Sequence, residues 1–200
     1  MNVASGAQMT LVGALWPVRR ASRPALRAIA LMLLGTVALW LSAKIQVPLW
    51  PVPITMQTFV VLTLGVAYGG RLAGATLLLY LAEGAIGLPV FAGTWSEGAG
   101  VKHLVGPTAG YLFGFAIAAA VVGRLAERGW DRNALTAGAA MAIGNLVIYA
   151  AGIAWLGTMI GYGTAIDVGL LPFLVGDALK ITLGACLLPL AWKLIRRLRG

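Results

Sequence analysis

Long apolar segments with arginines at their ends follow one another along nearly the whole of this 200-residue chain. The chain is 60% hydrophobic and only 10% charged, whereas a soluble domain carries about 25% charged residues. Its mean hydropathy is +0.90. A helix needs roughly 20 apolar residues to cross a bilayer, so this length allows five or six spans and no separate soluble domain. We therefore predict an all-α protein embedded in a membrane.

The apolar segments and their flanks predict one six-helix transmembrane domain over residues 24–200. The candidate spans are residues 25–46, 56–68, 72–90, 106–122, 133–160 and 168–195. Residues 1–23 are predicted to be a cytoplasmic or interfacial lead-in. Their weakly apolar part precedes the arginines, which is the reverse of the order in a cleaved signal peptide.

The basic residues orient these spans. With six spans, 12 of the 15 basic residues fall on one side of the membrane, which by the positive-inside rule is the cytoplasm. Five spans would divide them between both sides. We expect a multi-pass protein of the bacterial cytoplasmic (inner) membrane with both termini in the cytoplasm. The net charge of +9 is not arranged as a basic stripe interleaved with aromatic residues, so nucleic acid is not an expected partner.

An aspartate and a lysine, Asp177 and Lys180, lie three residues apart within the apolar stretch 168–195. Residues at this spacing share one face of a helix. Ionisable groups at membrane depth are costly, and they usually face a bundle interior or a water-filled site. The alternative is a buried ion pair that only fixes helix packing. We favour a polar binding site that includes both residues.

The sequence contains no nucleotide-binding G-x-x-x-x-G-K-[ST] loop, no H-E-x-x-H and no G-x-S-x-G motif, so we do not expect an enzyme. His103 is the one histidine, and no metal site or cofactor is expected. Two readings of function stay open: a solute-binding subunit of an importer, or a self-sufficient proton- or sodium-coupled transporter with Asp177 as proton carrier. Glu83 is predicted either to neutralise Lys44 or Lys102 or to reach the surface.

Aromatic residues lie on or near the two longest connections, 47–55 and 91–105. They are Trp50, Phe59, Phe91, Trp95 and Tyr111. An aromatic belt at the membrane interface is one interpretation. A pocket for a solute is the other, because loops positioned by a scaffold often carry binding groups.

Four strings, in order along the chain, resemble the BioY family of biotin transporters. They are AKIQVPLWPVPITMQTF, GLPVFAG, GPTAGYLFGF and PFLVGDALK. The resemblance runs from Ala43 to Lys180, and residues 1–23 are expected to lie outside it.

This resemblance implies a six-helix substrate-binding S component of an energy-coupling-factor (ECF) transporter, with biotin as the transported ligand. The implied partners are a transmembrane T component and two ABC-type ATPases, in addition to membrane lipid. Self-association is left open. The family's pair in the last span matches Asp177 and Lys180. Its P-x-T-x-Q-T element matches Thr55 and Gln57, and its glycine-tyrosine element matches Gly110 and Tyr111.

Small residues on the first span of S components typically contact the T component. Ala38 and Ser42 are the matching candidates for this partner interface.

Overall fold

Nine α-helices and one short hairpin make up the described part of the chain, residues 9–17, 23–93 and 99–199 of a computed structural model. The helices are α1 (Leu11–Leu15), α2 (Pro24–Lys44), α3 (Gln57–Tyr68), α4 (Gly70–Ala85), α5 (Val101–Val105), α6 (Ala109–Glu127), α7 (Ala134–Ile160), α8 (Tyr162–Gly169) and α9 (Leu174–Arg199). Strand β1 (Gln46–Val47) pairs antiparallel with β2 (Ile54–Thr55). The all-α prediction is confirmed, with the hairpin as a small addition.

Six of the helices correspond to the predicted spans: α2, α3, α4, α6, α7 and α9. Four described stretches are long and apolar enough to cross a bilayer: Pro24–Lys44, Ala109–Glu127, Ala134–Ile160 and Tyr162–Arg197. Helix α3 is a shorter apolar helix. This arrangement is compatible with six spans.

Three predicted boundaries were wrong. Helix α4 ends at Ala85 and not at residue 90, because Gly87 has a φ of +102° and Pro89 cannot continue a helix. Helix α6 is shifted toward the C-terminus and runs through Arg124 to Glu127.

The third error concerns the stretch 168–195, which is not one helix. Helix α8 ends at Gly169, and a 3₁₀ turn, Leu171–Phe173, separates it from α9. Pro172 lies within that turn. Since proline lacks an N–H donor and clashes with the preceding turn, the break falls there.

Helix α6 lies at the centre of the bundle and packs against α3, α4 and α7. A Cβ added to Gly123 would lie 2.4 Å from the backbone nitrogen of Gly70. A Cβ added to Gly110 would lie 2.4 Å from the carbonyl oxygen of Ala151 on α7. Glycine at these positions lets the backbones approach more closely than any other residue would allow.

Helix α1 packs on the bundle, where the sequence predicted only a lead-in. Leu11 and Ala14 are buried, and the helix contacts α3 and α9. The side chain of Arg27 donates to the carbonyl oxygens of Trp16, at 2.9 Å, and Val12, at 3.3 Å. Arg132 donates to the carbonyl oxygen of Met9. These contacts tie α1 to the arginine-rich end of the bundle.

The opposite end of the bundle is formed by the hairpin, the segment after α4 and helix α5. Lys44 at the end of α2 donates to the carbonyl oxygens of Phe91, at 2.9 Å, and Gly93, at 3.3 Å. The side-chain oxygen of Gln46 accepts a hydrogen bond from the backbone N–H of Gly93. The two predicted long connections are thereby joined to each other above the helices.

Candidate ligand-binding site

A cavity of about 580 Å³ opens at the hairpin end of the bundle. Its volume falls within the range of small-molecule sites, about 300–1,000 Å³. Residues from the hairpin, the segment after α4, and helices α3, α5, α6, α7 and α9 line it. The lining is mostly apolar, and its charged residues are Asp177, Lys180 and Lys102.

The predicted pair forms an ion pair within this cavity. Lys180 Nζ lies 2.7 Å from Asp177 Oδ1, and the side chain of Asp177 is only 2% exposed. Both residues lie in the first two turns of α9, which begins just after the turn at Pro172. The three-residue spacing thus does place both groups on one face of a helix, and that face lines the cavity.

Two further side chains complete the surroundings of Asp177. Thr58 on α3 donates to Asp177 Oδ1 at 2.9 Å, and Tyr149 on α7 donates to Oδ2 at 2.5 Å. Both are buried and both line the cavity. Side chains from three helices therefore donate to one carboxylate, which offsets the cost of burying its oxygens.

Lys180 is equally well satisfied. Its ammonium donates to the carbonyl oxygen of Thr55 at 2.8 Å, to Thr58 Oγ1 at 2.9 Å and to Asp177 Oδ1 at 2.7 Å. An ammonium has three N–H donors, so each of them has a partner within the protein.

Thr55 and Gln57, two of the predicted substrate-binding residues, line the cavity, and both also hold its wall together. Thr55 Oγ1 accepts from the backbone N–H of Gln57 at 3.1 Å. Gln57 Nε2 donates to the hydroxyl of Tyr80 at 2.7 Å, and that hydroxyl donates to the carbonyl oxygen of Val90. The segment after α4 is fixed to α3 by this chain of hydrogen bonds.

The predicted aromatic residues differ in their surroundings. Phe91 is fully buried and stacks on His103 at 5.4 Å between ring centroids. The hydroxyl of Tyr111 donates to the carbonyl oxygen of Gly169 at 2.8 Å, and its ring lies parallel to that of Phe173. Both residues line the cavity, as does Trp50, which is 84% exposed. Trp95 lies outside the described residues.

The remaining candidates lie away from the cavity. Ser42 is buried, and its hydroxyl donates to the carbonyl oxygen of Leu39 within α2. It is therefore not exposed for a partner, and Ala38 is half-buried. The exposed face of α2 carries large apolar residues instead: Leu33, Leu34, Val37 and Leu41. Glu83 accepts a hydrogen bond from Thr36 at 3.1 Å. Among the described residues it forms no ion pair with Lys44 or Lys102, which were one of the two expected alternatives.

Sequence reasoning missed Thr58, Tyr149, Lys102 and His103 as lining residues. Thr58 closes the P-x-T-x-Q-T string itself, which was a usable signal. Tyr149 lies four residues after Asn145 in an otherwise apolar helix. This polar pair on one helical face was a second signal. Nothing local to Lys102 or His103 indicates that α5 turns them toward the cavity.

Comparison with known proteins gives concordant matches. The model of the BioY family matches residues 8–197, so the match reaches well into the segment that the sequence placed outside the resemblance. The probable biotin transporter BioY of Pyrococcus horikoshii is 36% identical over 154 residues, covering 77% of this chain and 89% of that protein. The biotin transporter BioY of Rhizobium etli is 39% identical over 159 residues, covering 76% and 83%. That of Thermotoga maritima is 37% identical over 151 residues, covering 75% and 86%.

Among solved structures, the fold is similar to that of the S-component for biotin from an ECF-type ABC transporter. The TM-score is 0.72 at 21% sequence identity, and the match covers 90% of this chain and 94% of the other. At this identity the similarity establishes the fold. The family match extends over nearly the whole chain, and the chain belongs to the BioY family.

Proposed function

We propose that this chain binds biotin in the cavity at its hairpin end, as the S component of an ECF transporter for biotin uptake. The observation that carries the proposal is the buried Asp177–Lys180 pair in a largely apolar cavity. The relatives of this chain in Thermotoga maritima and Rhizobium etli are named biotin transporters, and that in Pyrococcus horikoshii a probable biotin transporter.

The chemistry of biotin suits this lining. Biotin has a ureido group with two N–H donors and one carbonyl acceptor, an apolar bicyclic body and a carboxylate. Asp177 is a hydrogen-bond acceptor and Lys180 a donor, which complements both edges of a ureido group. The rings of Tyr111 and Phe173 offer apolar surface for the bicyclic body, and the fully buried Phe91 is part of the same lining. Thr55, Gln57 and Trp50 are the other proposed contact residues. We also propose Trp95 as a contact residue for biotin.

The partners we propose are a transmembrane T component and two ABC-type ATPases, because the chain has no nucleotide-binding loop of its own. The exposed apolar face of α2 suits lipid or another membrane helix. We further propose that the protein lies in the cytoplasmic membrane, with both termini and the arginine-rich end in the cytoplasm. The cavity then opens outward.

Calorimetry on the protein purified in detergent tests the ligand. We expect biotin to bind far more tightly than thiamine or riboflavin, because neither of these has a carbonyl flanked by two N–H donors to present to Asp177 and Lys180. Equal binding of all three vitamins, or no binding of biotin, would refute the proposal.

Uptake of radiolabelled biotin tests whether transport by this chain depends on a T component and separate ATPases. Cells that express this chain with the T component and ATPases of its own genome should accumulate biotin. Replacing the nucleotide-loop lysine of the ATPases should abolish accumulation. Uptake that survives this replacement and collapses with a protonophore would favour the self-sufficient transporter instead.

A further inference from the structure

With respect to the described residues, the carboxylate of Asp177 has one hydrogen-bonding position left. A carboxylate offers about four lone-pair sites, two on each oxygen. Oδ1 accepts from both Thr58 and Lys180, and Oδ2 accepts from Tyr149. The remaining site is therefore on Oδ2, beside the tyrosine hydroxyl.

Lys180 has no spare donor, since its three N–H groups are used by Thr55, Thr58 and Asp177. A ligand carbonyl must displace one of these partners. A ligand N–H, in contrast, can donate to the vacant position on Asp177 Oδ2 while all of these hydrogen bonds are kept. In the arrangement that the structure shows, a ligand N–H meets a vacant acceptor position on Asp177, whereas a ligand carbonyl reaches Lys180 by exchange with one of its present partners.

Tyr149 adds a second acceptor at the same place. Its hydroxyl proton is donated to Asp177 Oδ2, with 2.5 Å between the two oxygens. The lone pairs of the hydroxyl oxygen therefore remain available to accept a hydrogen bond. The described residues donate no hydrogen bond to that oxygen. The side chain is 8% exposed and lines the cavity. A donor in the cavity thus meets two neighbouring oxygens.

We propose that the Tyr149 hydroxyl and Asp177 Oδ2 together accept one N–H of the ligand, which makes Tyr149 a specificity-determining residue. This inference rests on the proposed function and adds to it the residue that selects for a ureido N–H. A ligand with CH₂ at that position leaves the Tyr149 oxygen without a donor and the second position on Asp177 Oδ2 unfilled in a buried site. The penalty arises because buried acceptors without partners are costly.

The test compares biotin with its two lactam analogues, each of which has CH₂ in place of one ureido N–H. The measured quantity is the ratio of the analogue's Kd to that of biotin, by calorimetry in detergent. For the wild-type protein we expect a large ratio for at least one analogue. Tyr149→Phe keeps the ring and removes one of the two acceptors, so this ratio should fall by about 3- to 10-fold.

Tyr68→Phe is the matched control. Its hydroxyl donates to the carbonyl oxygen of Leu31 at 2.8 Å, and Tyr68 does not line the cavity. The ratio should stay at its wild-type value in this variant. A purely structural role of Tyr149 would lower the affinity for all three ligands equally, and the unchanged ratio would overturn the inference.

A second measurement uses only the wild-type protein, so it still tests the inference if Tyr149→Phe does not fold. Lactams that bind wild-type protein as tightly as biotin would overturn the proposed selection for N–H. The two proposals fail in different ways. Failure of biotin itself to bind overturns the proposed function and this inference together, whereas tight biotin binding with unchanged ratios overturns only the role of Tyr149.

Discussion

At the scale of residues, the site is built around one buried charge. Three side chains from three helices donate to Asp177, and two of them, Thr58 and Lys180, also bond to each other. Each contact holds the others in position, because a buried polar group without a partner costs free energy. The pair is thus part of the cavity wall, and mutation can separate this structural role from the ligand contact that we propose for it.

Asp177→Asn should lower biotin affinity by about 30-fold or more. The change puts an N–H₂ donor where three donors converge, and losing a buried charged hydrogen bond costs about 2–5 kcal/mol. Lys180→Met should act similarly while keeping much of the side-chain volume. Asp167→Asn, exposed on α8, is the matched control and should bind as wild type. Calorimetry on each variant measures the effect.

The double variant Asp177→Asn with Lys180→Met separates contact from scaffold. If the pair contacts biotin, binding should be abolished in a protein that still folds and inserts. If the pair only fixes helix packing, removing both charges should leave binding near normal. Normal binding by the well-folded double variant would exclude both residues from the site.

Asp131 gives a residue-level prediction about pH. It lies in the connection between α6 and α7, where burial raises the pKa of its carboxyl despite the hydrogen bond from Trp192 and the charge of Arg132. The folded protein then holds this proton more tightly than the unfolded chain does. Between the ordinary value of about 4 and the raised pKa, the free energy of unfolding should fall as pH rises.

Thermal unfolding in detergent from pH 4 to 7 measures this dependence. Asp131→Asn cannot ionise but still presents an oxygen to Trp192, so the fall in stability over that range should become smaller. Asp167→Asn should leave it unchanged. A steeper fall in Asp131→Asn would contradict the assigned cause.

At the scale of elements, glycines determine how closely the helices approach α6. Gly123→Ala should destabilise the protein by about 1–3 kcal/mol, the usual cost of overpacking. Its new Cβ would lie 2.4 Å from the backbone of Gly70, and backbone cannot rotate aside. Gly138→Ala on α7 is the control, because its Cβ would lie an ordinary 3.5 Å from Ala185. Thermal unfolding should show a lower midpoint only for Gly123→Ala, and equal midpoints would contradict the packing argument.

At the scale of the whole molecule, charge and cavity lie at opposite ends. The described arginines cluster at the end that α1 covers, and the hairpin and α5 surround the cavity at the other. If the positive-inside rule holds, this polarity sets which side of the membrane supplies the ligand.

Thiol labelling in cells tests that orientation. In a Cys186→Ala background, single cysteines at positions 20 and 198 should react with an impermeant reagent only after the membrane is opened. A cysteine in place of Ile86, which is 80% exposed near the cavity end, should react in intact cells. Labelling at 20 or 198 in intact cells would contradict the proposed topology.

The sequence by itself determined the membrane class, the approximate helices and the Asp177–Lys180 pair. These depend on local composition: apolar length sets a span, and a three-residue spacing sets a shared helical face. Only the tertiary structure decided that Thr58, 119 residues away, and Tyr149, 28 residues away, complete the site. It also decided that α1 packs on the bundle and that α5 brings Lys102 and His103 to the cavity. The physical reason is that these contacts join segments distant in sequence, and no local pattern specifies which helices become neighbours.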